Sequence, residues 1–160
     1  MDNRSIGHSC TFTGHRPERL AIQEADVILW LNEQVRHAVN DGYSDFITGM
    51  QRGVDIWAAE AVLELSEEHK DLRLIAACAF RRMENQWDAE WRKRYRDILH
   101  VADKIHYIGD RPGRRAFFVR NHWMVNRASR LIAVYTGAPG GTKETIKYAE
   151  SKHLRIVSMA

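Results

Sequence analysis

Three Thr-Gly pairs stand directly after apolar runs in this chain: Thr13-Gly14 in CTFTGHRP, Thr48-Gly49 in DFITGMQRGVD and Thr136-Gly137 in IAVYTGAPGGTKETI. The chemistry they suggest is anion binding. Glycine at such a point lets the backbone approach a ligand closely. Threonine hydroxyls and the unpaired amides of a following helix can then hold phosphate oxygens. The last stretch adds Pro139, Gly140, Gly141 and Thr142, which read either as a phosphate cradle or as a tight turn. No G-K-[ST] follows these glycines at P-loop spacing, and no G-x-G-x-x-G follows the first run. The sequence therefore carries neither a Walker A loop nor the fingerprint of a standard NAD-dependent dehydrogenase.

Side chains near these loops extend the same theme. His15 and Arg16 follow the first pair, where Arg16 either grips phosphate with a two-pronged guanidinium or decorates the surface. Asp55 is either a first-turn acid favoured by the helix dipole or a partner for a ribose hydroxyl. Arg120, in the helix before the fifth strand, is expected to face the Pro-Gly-Gly-Thr loop, with Asn126 and Arg127 structural. The eight histidines form no cluster of metal-ligand spacing, so no metal is expected.

The elements that must position these residues alternate in type. Strands are expected at Ser9–Gly14, Asp45–Gly49, Leu72–Ala79, Asp103–Ile108, Arg130–Gly137 and Leu154–Met159, several of them apolar throughout. Helical periodicity runs over Glu24–Asn40, with Val27, Leu31, Val35 and Val39 on one face, and over Val54–Leu65 and Trp87–Leu99. Two further helices fit Ala116–Arg127 and Thr142–Ser151. Such alternation predicts an α/β fold over residues 1–160, a single Rossmann-like doubly wound domain with a mainly parallel sheet and helices on both faces. Ligands of such folds sit at the carboxyl ends of the strands, which is where the Thr-Gly pairs fall.

The net charge of +3 suits an anionic ligand without demanding nucleic acid. Basic runs at Arg81–Met83, Arg92–Arg96 and Gly109–Arg115 read as solvated faces or as a nucleic-acid surface. Trp87, Trp91 and Tyr95 at helical spacing read as core, with base stacking or a dimer surface as the alternatives. Two cysteines, Cys10 and Cys78, lie in apolar runs and read as buried thiols of a reducing compartment. No apolar run reaches the length of a membrane span and the start is polar, so a cytoplasmic protein is expected.

With these residues assembled, the chain resembles YpsA-like members of the superfamily named for SMF/DprA and LOG proteins. The likeness is carried by FTGHRP, ITGMQRGVDIWAAE, NQWDAEWRKRYRDIL and RNHWMVNRASRLIAVYTGAPGGTKETIKYA, nearly the whole length. It implies a Rossmann-like fold and a nucleotide-derived ligand, a nucleoside monophosphate or an ADP-ribose-like molecule, and it names no certain cofactor. LOG enzymes are phosphoribohydrolases with the signature P-G-G-x-G-T-x-x-E and an Arg-Lys pair on the preceding helix. Here Arg120 matches that arginine, Asn121 replaces the lysine, and Pro139-Gly140-Gly141 is followed at once by Thr142. The signature glutamate falls on Lys147 or Thr145, neither acidic.

Three readings follow. A binding module that senses or sequesters a nucleotide would use Thr13, Gly14, His15 and Arg16; Gly49, Met50, Gly53 and Asp55; Arg120 and Asn121; and Gly137, Gly140, Gly141, Thr142 and Thr145. A nucleotide N-glycosidase would draw its acid from Asp55, Glu60 or Glu144. Single-stranded DNA binding would use the basic runs, and pairing of chains through helices fits the family.

Overall fold

The computed structural model describes residues 6–159; the polar start at residues 1–5 lies outside them. Six strands form one sheet: β1 (Ser9–Gly14), β2 (Asp45–Thr48), β3 (Arg73–Cys78), β4 (Lys104–Tyr107), β5 (Arg130–Val134) and β6 (Arg155–Met159). Five α-helices connect them: α1 (Glu24–Asn40), α2 (Val54–Leu65), α3 (Ala89–Val101), α4 (Arg114–Val125) and α5 (Gly141–Ser151). Short 3-10 turns precede α1 at Pro17–Arg19 and α3 at Met83–Gln86.

Every strand pair is parallel, and the order across the sheet is β4-β3-β2-β1-β5-β6. Alternate side chains of the strands leave on opposite faces. Cys10, Phe12, Phe46, Leu74, Ala76, Cys78, Ile132 and Val134 join the core beneath α1, α2 and α3. Ile47, Ile75 and Ala77 meet Met124 of α4, and Leu131 and Ala133 meet Ala149 of α5. The sheet is covered on both sides, which explains strands apolar throughout. This is the expected doubly wound α/β fold.

Boundaries shift where neighbours intervene. β5 stops at Val134 rather than Gly137, because its partner β1 ends at Gly14, the residue paired with Val134. α3 starts at Ala89, after the Met83–Gln86 turn, so Trp87 precedes the helix. Trp87 still meets Tyr95 edge-on with ring centroids 5.4 Å apart, and Trp91 packs on Trp57 at 6.0 Å. Tyr95 is fully buried, with its hydroxyl on Cys78 Sγ at 3.3 Å. The stripe is core. On α1, Ala38 rather than Val39 completes the buried face, since 3.6 residues per turn carries the stripe back by one position.

The order of strands places a switch point at β1. From β1 the chain builds outward through β2, β3 and β4, then returns through α4 to lay β5 on the other side of β1. Loops at the carboxyl ends of β1 and β5 therefore diverge around a crevice, the place where ligands enter such sheets.

Candidate functional site

A cavity of about 510 Å³ fills that crevice. Its walls are the end of β1 and the β1–α1 loop, the start of α2, one side of α4 from Arg114 to Met124, and the start of α5. The volume lies within the ordinary range for small-ligand pockets.

The glycine loop forms one wall. Gly140 adopts a φ of 140°, open to glycine and strained for other residues, and leads into α5 at Gly141. The first amides of a helix have no partner within it, so they offer N–H groups to an anion, and the helix dipole adds positive potential. Thr142 and Thr145 are buried beside them, with Thr145 Oγ1 donating to Gly141 O at 2.8 Å. That bond fixes the first turn. Asn121 of α4 stands next to this wall, its Nδ2 being 3.9 Å from where a Cβ of Gly141 would lie.

Cations line the rest of the cavity. Arg16, Arg19, Arg114 and Arg120 all line the cavity, against the carboxylates of Asp55 and Glu144. Among the described residues, none of these four arginines has a carboxylate within salt-bridge distance. His15 is 4% exposed, and its Nε2 has no hydrogen-bond partner among the described residues. Burial, and then the nearby charge of Arg19, hold its imidazole below the usual histidine range. The residue lines the cavity, while its unpartnered Nε2 atom is enclosed.

Asp55 and Arg120 meet at the floor. Thr48 at the end of β2 donates to Asp55 O at 2.8 Å and accepts from Met50 N–H at 3.3 Å, tying the turn to the start of α2. Asp55 Oδ2 accepts from Gln51 N–H at 3.3 Å. Arg120 donates through Nη1 to Gly49 O and through Nε to Asn121 Oδ1 at 2.8 Å. A Cβ on Gly49 would stand 2.8 Å from both Asp55 Oδ2 and Arg120 Nη1, so only glycine lets the two charges converge there. Gly14 is required for a different approach, since a Cβ there would lie 2.3 Å from Val54.

Burial pushes the Asp55 carboxyl up to about 6, with Arg120 and the Gln51 amide pulling the other way. The ordinary value near 3.8 holds in the unfolded chain, so the fold penalises the ionised form. That penalty is present above pH 6 and disappears as pH falls from about 6 to 4, a span of roughly 2–3 kcal/mol. Asp55→Asn is expected to remove this acid-side gain. Urea unfolding across that interval measures it, as a flatter stability profile in the variant than in the wild type.

The structure thus brings together Thr13, Gly14, His15, Arg16, Asp55, Arg120, Asn121, Gly140, Gly141, Thr142, Thr145 and Glu144 at one cavity. It does not bring in Gly49, Met50, Gly53 or Gly137 as lining. Gly49 lies beneath, Met50 is fully buried in the core with φ 62°, and Gly53 packs against Pro17. Gly137 is exposed in the turn after β5. Glu60 lies away from the cavity and pairs with Arg94, whose Nε donates to it at 3.1 Å. Arg120 turns to the end of β2 rather than to the glycine loop, because α4 lies over Ile47 and Ile75. Asn126 and Arg127 are structural, bonded to Tyr148 and Trp123.

Sequence reasoning missed Arg19, Arg114, Phe117, Phe118 and His122, all lining residues. Arg19 had a signal, standing three residues after Arg16 in the same loop. The others were hidden in a basic run and in a helix whose facing could not be told from periodicity, since polar and apolar residues mix all round α4.

A family model described as the YspA SLOG family (YpsA) matches residues 10–158. The chain belongs to this family. A UPF0398 protein of Halalkalibacterium halodurans is 28% identical over 151 residues, covering 89% of this chain and 80% of that one. Among solved structures, DNA processing protein A (DprA) from Streptococcus pneumoniae superposes with a TM-score of 0.65 at 16% identity. That match covers 96% of this chain and 50% of DprA, so the chain spans half the length of that neighbour. DprA from Helicobacter pylori, a single-stranded DNA binder, gives a TM-score of 0.65 at 15% identity, over 99% and 69% of the two chains. The likeness to both DprA structures is one of fold. No helix of the described residues is long and apolar enough to cross a membrane.

Proposed function

We propose that this YpsA-family chain binds a nucleoside phosphate or an ADP-ribose-like molecule in the cleft between β1 and β5, and holds it without cleaving it. One observation carries the reading: the start of α5 with Gly140, Gly141 and Thr142 shares one cavity with Arg16, Arg19 and Arg114, none of which has a carboxylate within salt-bridge distance among the described residues. The α5 amides and Thr142 take a phosphate. His15 and Asp55 line the same cavity and carry polar groups of the kind that hydrogen-bond sugar hydroxyls. Two buried free thiols, Cys10 and Cys78, accord with a cytoplasmic setting.

A second reading draws on the raised carboxyl of Asp55. An acid near 6 in a nucleotide cleft is suited to proton transfer during glycosidic cleavage, as in a phosphoribohydrolase. One experiment separates the two. The protein is melted with AMP, ADP, ADP-ribose, NAD, adenosine and a single-stranded oligonucleotide, and each mixture is then chromatographed for free base. Ligand at about 100 times Kd stabilises by about 2.7 kcal/mol, a shift of several degrees. The expected result is stabilisation by phosphorylated ligands with no base released. Free adenine or nicotinamide, lost again in Asp55→Asn, establishes the enzyme instead. Stabilisation by the oligonucleotide alone, falling steeply with salt, assigns the cleft to DNA.

A further inference from the structure

Arg19 stands apart from the other cavity arginines. It belongs to the Pro17–Arg19 turn after β1, yet its Nη2 donates to Pro139 O at 3.2 Å, in the loop after β5. Its Nη1 lies 3.3 Å from where a Cβ of Gly140 would be. The turn that carries it is held from the other side by an ion pair of Glu18 with Arg52 at 3.0 Å, so its base is anchored. A guanidinium presents five N–H donors in a fixed fork, and here a single carbonyl takes up part of that capacity.

We propose that Arg19 is a phosphate-binding and specificity-determining residue, a second anchor that faces the start of α5 across the mouth of the cleft. Resting on the nucleoside-phosphate reading above, this adds a selection rule to it. A phosphate on the α5 amides lies beside the loop whose Pro139 carbonyl the Arg19 fork already holds. Its charge is then shared between helix amides on one side and a guanidinium on the other. Because the same side chain bonds the Pro139 carbonyl, it also fixes the glycine loop relative to the β1 loop. Phosphorylated ligands gain from this arrangement; the matching nucleoside does not.

The test is calorimetric titration of wild type, Arg19→Ala and Arg19→Lys with AMP and with adenosine, alongside melting of each protein. Arg19 is exposed, so both variants are expected to fold. Arg19→Ala is expected to bind AMP roughly 10–100-fold more weakly, the range for a charged hydrogen-bond donor, with adenosine binding unchanged. Arg19→Lys, which keeps the charge and loses the fork, is expected to fall between the two. Added guanidinium at low concentration should restore part of the AMP affinity of Arg19→Ala. Wild-type affinity for AMP in Arg19→Ala overturns the proposal, as does an equal loss for AMP and adenosine, which would make Arg19 a strut of the loop. Wild-type protein that binds no nucleoside phosphate removes the underlying reading itself, an outcome distinct from either.

Discussion

Gly141→Asp is expected to weaken binding of AMP by about 100-fold or more while leaving the melting temperature at or slightly above the wild-type value. The two halves of this expectation come from different properties of one position. Gly141 opens α5, its φ lies outside the left-handed region, and a side chain there meets nothing closer than Asn121 Nδ2 at 3.9 Å. The fold therefore has room for it. An acidic residue in the first turn is favoured by the helix dipole by about 0.3–1 kcal/mol. That same carboxylate, however, occupies the anion seat and repels a phosphate arriving there. Titration with AMP and a thermal melt read the two effects independently. Unchanged AMP affinity would show that the phosphate is seated elsewhere.

Arg120→Met is expected to cost about 1–3 kcal/mol of stability at neutral pH, measured by urea unfolding. The side chain is 4% exposed, and methionine fills much of its volume, so the loss is electrostatic rather than steric. Without the guanidinium, the buried Gly49 carbonyl loses its donor and Asp55 loses the charge that offsets its burial. Arg120 holds the Asp55 carboxyl down, so removing it moves that group above its present value of about 6. The deficit against wild type is therefore largest above pH 6 and shrinks in mild acid, where a protonated Asp55 needs no counter-charge. Combining Arg120→Met with Asp55→Asn is expected to be less damaging than the sum of the two, because the second change removes the stranded charge. A deficit that is constant with pH would separate Arg120 from Asp55 energetically.

Much of this could be read before any coordinates, and the reason is that the informative signals are local. An apolar run followed by Thr-Gly is a strand reaching its end, so β1, β2 and β5 and their turns were legible, as were α1 and α2 to the residue. The fold class followed from alternation alone. What could not be read was which of several equivalent side chains the third dimension selects. Asp55 and Glu60 share α2, yet five residues of helix turn them to different sides: one enters the cleft and the other pairs with Arg94 on α3. Arg120 falls on the expected helix, in its middle rather than at its start, and its target depends on the lateral position of α4, which sequence spacing does not encode. Arg19 was overlooked because its partner lies 120 residues away.

That separation bears on how the protein comes into being. The crevice joins a strand at the beginning of the chain to one near its end, paired from Cys10 with Arg130 to Gly14 with Val134. The sheet can grow from β1 to β4 by adding each new strand next to the last, but β5 must travel back past all of them to reach β1. Such non-local closure is entropically expensive and comes slowly. As the chain leaves the ribosome, β1 waits with one edge open until β5 has been made, so the crevice between them closes only after β2, β3 and β4 are in hand. The proposed ligand, gripping both loops, would favour that docking step.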